Sequence, residues 1–546
     1  EPNGVGIRYT DENGDALIRW NLPSETTLYA YFAETLKFTS IDNGTAYAVS
    51  QGDYGIGSLT TITIPTSYKG LPVTTVEASA FVSCNTLREI RIPNTIKLIE
   101  IGSEGINGVG SAFQSCNNLR AITIYPVEGA KDIRYHSVDG VLYYNNEFTG
   151  MEIKAYPYAK TGALEIEEGT TIIPTGAFKY AKFTEVLVPH TVTEIHANAF
   201  QSCSNLTKIT FLVAPEGVAE VPLTVKDKAI YSCSKLESVT LPARLTSFGV
   251  NTIYSCSALS SIDVAGTGGN YTAKGEAGRK VLCNAAGDTI IFCPKGMSGE
   301  FTVPNGITTI AANAFQGCNK LSKVTIPGFV TEIQKEAFKS CSGLEEIDLT
   351  EEGYALTIRE SAFYSCSGLT SVTLPKRLVK MEANAFGYTS KLTSVIVNSA
   401  GVAAGEDGKR TVDFATNAFG SIPASSTATT NFYVTYVELG ADVPEFEITG
   451  VFGQKIESVK VDEKNQNYTA IDGVLFDKAV TKVVYYPTDR TGDYTLPETI
   501  TEIGDRVFQG KTGLTGITIG KNVKSIGVGA FKSCSKLVYV RFADST

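Results

Sequence analysis

The stretch Ile307–Leu349 reads ITTIAANAFQGCNKLSKVTIPGFVTEIQKEAFKSCSGLEEIDL, and it matches itself when slid by 23 residues. Ile307 falls on Val330, Ile310 on Ile333, Phe315 on Phe338, Cys318 on Cys341, Leu321 on Leu344, Val324 on Ile347 and Ile326 on Leu349. Self-similarity at a fixed period of roughly 20–50 residues marks a solenoid, in which each repeat buries its apolar face only against its neighbours. Within one period Leu321, Val324 and Ile326 are the inward positions of a half-buried strand, and Lys323 and Thr325 point outward. Pro327, with no ladder donor, ends the strand. Val330 and Ile333 form a second short apolar segment, and Ala337-Phe338 is a tight turn that plants the ring in the core.

The same slots recur outward from this stretch. The phenylalanine position is filled at Phe81, Phe113, Phe178, Phe200, Ile230, Ile253, Phe315, Phe338, Phe363, Phe386, Phe419, Phe508 and Phe531, with Phe452 a degenerate case, so about fourteen rungs are expected. Of the eleven cysteines, nine share the slot three residues further on: Cys84, Cys116, Cys203, Cys233, Cys256, Cys318, Cys341, Cys366 and Cys534. The slot also holds Ala181, Thr389 and Lys511, which a metal ligand or nucleophile would not tolerate. No CxxC pair is present, so these thiols read as small buried hydrophobes with a weak S–H donor. Cys283 and Cys293 flank the turn Asn284–Asp288. A five-residue loop there sets Cys283 opposite Thr289, and a disulfide needs Cα atoms within about 7 Å, so free thiols are expected.

Three stretches interrupt the period as apolar strand, turn, apolar strand and proline. They are Val138–Pro157, its near copy Ile471–Pro487, and the divergent Lys280–Pro294. Each reads as a hairpin rung that lengthens the stack without breaking it. Residues 1–36 fall outside the period, with a hairpin over Ile7–Trp20 about Asn13-Gly14. Leu36–Val49, turning at Asn43-Gly44, reads as an N-terminal cap covering the first strand edge. The expected organisation is therefore an extension over 1–36, a capped solenoid over 37–398, an irregular insertion over 399–450 and further repeats over 451–546. After Val540-Arg541-Phe542 no cap is read, and Glu1-Pro2-Asn3-Gly4 reads as a mature or trimmed start.

Composition narrows the function. The net charge of −10 over 546 residues, with no basic stripe, argues against nucleic acid and anionic membrane. No apolar run of about 18 residues is present to span a bilayer. His136, His190 and His196 share no repeat slot, and there is no HExxH, nucleophile elbow or Walker loop. No cofactor, metal or catalytic residue is predicted.

The combined pattern Leu-x-x-Ile-x-Ile-Pro-x-x-Val-x-x-Ile-x-x-x-Ala-Phe-x-x-Cys-x-x-Leu resembles the BspA-like leucine-rich repeats of bacterial surface proteins over roughly residues 37–546. Ile64–Val73 is similar to that family's first-rung connection. The resemblance implies a β-rich leucine-rich-repeat solenoid with short turns or 3-10 segments on the convex side. It also implies extracellular or cell-surface display, the signal or anchor removed, and adhesion-type binding of a protein or glycoprotein.

Curved solenoids use the concave face for extended contacts. The outward strand positions on that face are the first candidate site: Glu89, Arg91, Lys208, Thr210, Thr240, Asp263, Lys323, Thr325, Asp348 and Thr373. A second candidate set is the hairpin tyrosines Tyr144, Tyr158 and Tyr485, which would suit a polysaccharide, although alternating Tyr in a hairpin more often packs half-buried. A purely structural spacer is the remaining alternative. Oligomeric state is not readable from the sequence.

Overall fold

The outward/inward alternation of the repeat builds two parallel sheets in a computed structural model. It describes residues 35–543 apart from 53–55, 57–58, 103–104, 107–108, 250, 267, 405–408, 421–433 and 453–454. The expected Ile7–Trp20 hairpin lies outside the described residues. In the central repeats, Leu321–Ile326 and Glu346–Leu349 pair in parallel, with Val324 opposite Ile347 and Thr325 opposite Asp348. Val324 and Ile326 are fully buried while Lys323 and Thr325 are not. Beyond the proline, Thr309–Ile310, Glu332–Ile333, Leu356–Ile358 and Leu378–Met381 form a second parallel ladder. The side away from the long strands is thus itself a sheet of short strands. Among the described residues, 3-10 conformation is confined to Asp42–Gly44.

The turn between the sheets has its own chemistry. Glu336 and Ser340, on either side of Phe338, have φ of 57° and 61°, and Ser361 and Ser365 repeat this around Phe363 at 58° and 59°. Two left-handed residues per turn fold the chain tightly around the ring; polar residues bear that geometry better than β-branched ones. The rings then stack: Phe315, Phe338, Phe363 and Phe386 lie 4.6, 5.0 and 4.9 Å apart with planes within 20°. Phe452, degenerate in sequence, continues the column at 4.9 Å from Phe419. The thiols form a parallel column. The Cys341 Sγ–H donates to Phe315 O at 3.0 Å, and Cys366 to Phe338 O at 3.1 Å. All the slot cysteines are free, and all but Cys534 are buried.

The fold is a β-rich solenoid of about 20 turns. The expected fourteen falls short because the cap and hairpin rungs lack the phenylalanine that marks a turn in sequence. The described residues divide into two compact units, one ending at Ser257 and one beginning at Ala258, a boundary the repeat period does not announce. In the first unit, the cap pairs Leu36–Ile41 antiparallel with Ala46–Gln51, turning at Asn43 (φ 55°) as the Asn-Gly signal predicts. The unit's long-strand sheet runs from Thr161–Glu165 through Lys182–Val188 and Lys208–Phe211 to Ser238–Pro242. In the second unit, the irregular stretch still feeds both sheets. Asp413–Phe414 pairs with Leu378–Met381, and Tyr436–Leu439 with Ser394–Val397.

All three interruptions are hairpin rungs, each preceded by an extra antiparallel strand: Tyr135–Val138, Tyr271–Lys274 and Tyr468–Ile471. Asp139-Gly140 and Asp472-Gly473, all at positive φ, make the same tight turn in the two close copies. In the divergent copy a bulge shifts the register, so Cys283 sits opposite Ile290 rather than Thr289. Both of its cysteines are buried free thiols, and burial pushes the Cys283 thiol up to about 12.

Candidate functional site

Every outward strand residue named above lies off the core, because the residues flanking it on the strand face inward. In the first unit Glu89 and Arg91 share the strand Glu89–Pro93 and pair at 2.9 Å, with the Thr123 hydroxyl donating to Glu89 at 3.1 Å. The Arg91 guanidinium holds the Glu89 carboxyl below its ordinary range. Lys208 lies opposite Ser238, and Thr210 opposite Thr240, on the unit's long-strand sheet. In the second unit Asp263 pairs with Lys280 at 2.7 Å. Lys323 reaches Glu346 at 2.7 Å, which holds its ammonium above the ordinary lysine value. Asp348 sits beside Thr325, while Thr373 belongs to the next sheet, opposite Ile396. The surface that results is polar, of mixed charge and largely self-paired. The ten residues are spread over both units and several sheets.

The tyrosine set separates. Tyr485 is 0% exposed and donates to Ile456 O at 3.0 Å, so it is a core residue and not a platform. It stands where the first hairpin has Ala155, on the inward side of the strand, and burial pushes its hydroxyl up to about 12. Tyr143, Tyr156 and Tyr486 are buried too. Tyr144 is half-buried, its ring 5.1 Å from that of Tyr135. Tyr158 remains partly exposed, with the Lys182 ammonium 4.4 Å from its ring centroid.

The histidines are dispersed. His190 and His196 meet Glu168 and Glu194 at 3.2 and 2.9 Å, and His136 stacks on Tyr143 at 5.3 Å. Among the described residues no group of three His, Cys, Asp or Glu side chains converges as metal ligands would. Among the described residues, two open clefts stand out. One, of about 530 Å³, is lined by Arg410, Asp442, Glu445 and Asn467; the other, of about 310 Å³, by Glu152, Lys154, Pro174 and His196.

Two buried features make hydrogen bonds that the sequence reading did not give. Arg377, 6% exposed, donates to the carbonyls of Val330, Tyr354, Thr350, Ile326 and Pro327. It therefore spans three rungs at the edge where the long strands end, adding a donor to carbonyls such as Ile326 O and Pro327 O, which also accept the Thr350 and Val330 amides. Arg244 does the same for Val192, Val221 and Pro189, with Glu220 3.3 Å from its Nε. The signal was available: Leu241-Pro242-Ala243-Arg244-Leu245 recurs as Leu374-Pro375-Lys376-Arg377-Leu378. The second feature is Lys511, 1% exposed in the cysteine slot. Its ammonium donates to Tyr485 Oη at 3.0 Å and Thr488 Oγ1 at 3.1 Å, and burial lowers its pKa to about 8.

Parallel ladders, stacked phenylalanines and a period near 23 residues define a leucine-rich repeat solenoid. More narrowly, the chain belongs to the BspA type leucine rich repeat region family, whose model matches residues 49–125, 150–271, 291–404 and 478–546 in six copies. Among solved structures, the chain is similar to a leucine rich cell surface protein from Faecalibacterium prausnitzii A2-165. The two are 18% identical over 95% of this chain and 96% of that one, with a TM-score of 0.35. It is also similar to a leucine-rich repeat protein from Bacteroides ovatus ATCC 8483, 18% identical over 80% of this chain and 100% of that one, at a TM-score of 0.44. A third is the pneumococcal vaccine antigen PcpA, 18% identical over 90% and 96%, at 0.38. No curated protein matches.

Proposed function

We infer that this chain is a non-catalytic, surface-displayed solenoid that binds another macromolecule, a protein or glycoprotein, through the outer face of its long strands. The observation that carries the reading is the division of labour along each strand. Val324 and Ile326 are fully buried between stacked neighbours, whereas Lys323, Thr325 and Asp348 are turned away from the core. A filled interior leaves the outer surface for recognition, and stacking repeats that surface over many rungs, as extended macromolecular contacts require. Membership of a family of bacterial surface proteins supports the display, and the dispersed histidines support the absence of chemistry. The test is binding of the full chain to immobilised extracellular-matrix proteins at physiological salt. Saturable binding to one of them, weakened when Thr210, Thr240, Thr325 and Thr373 are each changed to Arg, is the expected result. Binding indifferent to all four changes would remove the outer face from the reading, and no saturable binding on the panel would remove adhesion.

A further inference from the structure

The turn that carries each phenylalanine also presents the two residues after it at the edge of the solenoid. In the first unit these turns are joined by backbone bonds into one continuous edge. The Tyr180 amide donates to Gln201 O at 2.8 Å, the Ser202 amide to Tyr231 O at 2.7 Å, and the Ser232 amide to Tyr254 O at 2.9 Å. Tyr231 and Tyr254 stack 5.9 Å apart with planes within 19°. Tyr180 is 44% exposed under the Lys179 ammonium, which lies 5.6 Å from its ring, and the Tyr158–Lys182 pair joins the edge at its near end. The fold does not require rings here. The slot of Tyr231 and Tyr254 holds Gln114, Gln201, Gln316 and Lys339 in other rungs.

The charge of this edge is opposite in sign to that of the chain, whose net charge is −10. Over residues 175–182, 197–205, 227–235 and 251–257 the edge carries Lys179, Lys182, Lys228 and Lys235 against one carboxylate, Asp227. Lys228 and Lys235 are exposed, and Lys235 donates to Asn205 at 3.1 Å. Between the charges lie Ser202, Ser232, Ser255 and Gln201. Tyrosine offers a ring for apolar C–H surface and a hydroxyl for hydrogen bonds, serine and glutamine suit hydroxyl ligands, and a cationic strip attracts an anionic polymer. Tyr231 and Tyr254 are partly exposed and stacked on each other, which suits a hydroxylated ligand better than a nucleobase that needs an open ring face.

We propose that this turn edge is a docking surface for a linear anionic polysaccharide. It lies on a different side of the rung from the outer strand face, so the two readings stand or fall separately. The test titrates the full chain with hyaluronate by calorimetry at low and physiological salt, with dextran, dextran sulfate and oligo(dT) as comparators. Saturable hyaluronate binding that weakens with salt is expected, with dextran sulfate bound as well, no binding to dextran and weaker binding to oligo(dT).

The double variant Tyr231→Gln/Tyr254→Gln uses a residue the slot already holds, so the fold is kept, as circular dichroism will check. It weakens hyaluronate binding by about tenfold, as the loss of about 1.4 kcal/mol of contact implies. Lys228→Gln/Lys235→Gln weakens it similarly, while Lys320→Gln in the second unit and the outer-face Thr→Arg changes leave it unaltered. Absence of saturable binding would overturn the proposal. So would loss on the lysine changes alone, or equal affinity for dextran or oligo(dT).

Discussion

The two close hairpin rungs have the same backbone and opposite interiors. In the first unit Ala155-Tyr156-Pro157 is followed, one rung on, by Ala181 in the cysteine slot. In the second unit Tyr485-Tyr486-Pro487 is followed by Lys511. Tyr156 and Tyr486 both take the ring position, 5.6 Å from Phe178 and 4.9 Å from Phe508. Around that shared ring, one copy packs two small alanines. The other packs a tyrosine beneath an ammonium, 4.3 Å from its ring centroid. The comparison shows that the slot selects for shape and hydrogen-bond satisfaction rather than for polarity: a buried polar group is tolerated where its partners are built beside it. The arginine staples differ in the same way. Arg244 keeps a carboxylate partner, whereas the hydrogen bonds of Arg377 run to five carbonyls.

These contrasts can be broken in order of expected effect. Removing a ring from the phenylalanine column is the most damaging change. Phe338→Ala, between rings at 4.6 and 5.0 Å, should cost about 3–5 kcal/mol in chemical denaturation. Next, Arg377→Met should cost roughly 3 kcal/mol, since a hydrogen bond to a charged group contributes about 1.5–3 kcal/mol and the guanidinium's bonds to Val330, Thr350 and Tyr354 O are lost. Arg244→Met should cost less, because it serves three carbonyls rather than five. Equal losses for the two would show that carbonyl count is not what sets the staple's strength.

Lys511 provides a pH-dependent distinction between the hairpins. Its folded pKa, lowered to about 8 by burial, lies below the ordinary value of about 10.4. Between those values the unfolded chain binds more protons, so stability rises as pH climbs from 8 toward 10.4, by about 3 kcal/mol. Below pH 8 the cost of burying the charge is fully present. Lys511→Met should abolish that rise and hold stability at pH 7 or increase it. A wild-type curve parallel to the variant's between pH 8 and 10 would show that the amine's titration is not linked to folding. The smallest effect is expected at the surface: Lys323→Ala and Glu346→Ala, singly or together, should leave the denaturation midpoint unchanged within error, because the pair is exposed to solvent.

Much of the fold was legible because repetition turns one local pattern into many independent readings. The Ile307–Leu349 self-match places the inward and outward positions where the structure has them, as the Asn-Gly signal does for the turn at Asn43-Gly44 and the strand-turn-strand-proline pattern does for the three hairpin rungs. The short strand after Pro327 was harder. Glu332–Ile333 is two residues long, too short for periodicity, and becomes a strand only because its neighbours in adjacent rungs pair with it. The outward strand residues were legible as positions, but their self-pairing was not. Lys323 and Glu346 are 23 residues apart in sequence and meet only across the stack. Tyr485 was misplaced because alternation does not tell which side of a hairpin strand the core will take.

The sequence by itself determined the repeat, the ring and thiol columns and the outward face, all of which follow from period and alternation within a single rung. Only the tertiary structure decided what depends on distance between rungs. That includes the arginines reaching back to carbonyls about 50 residues earlier, the amine resting on Tyr485, and the tyrosines and lysines gathered along one turn edge of the first unit. The physical reason is the stacking itself. Residues in the same slot of successive rungs become neighbours whatever lies between them, so side chains dispersed in the sequence converge only when the rungs are laid on one another.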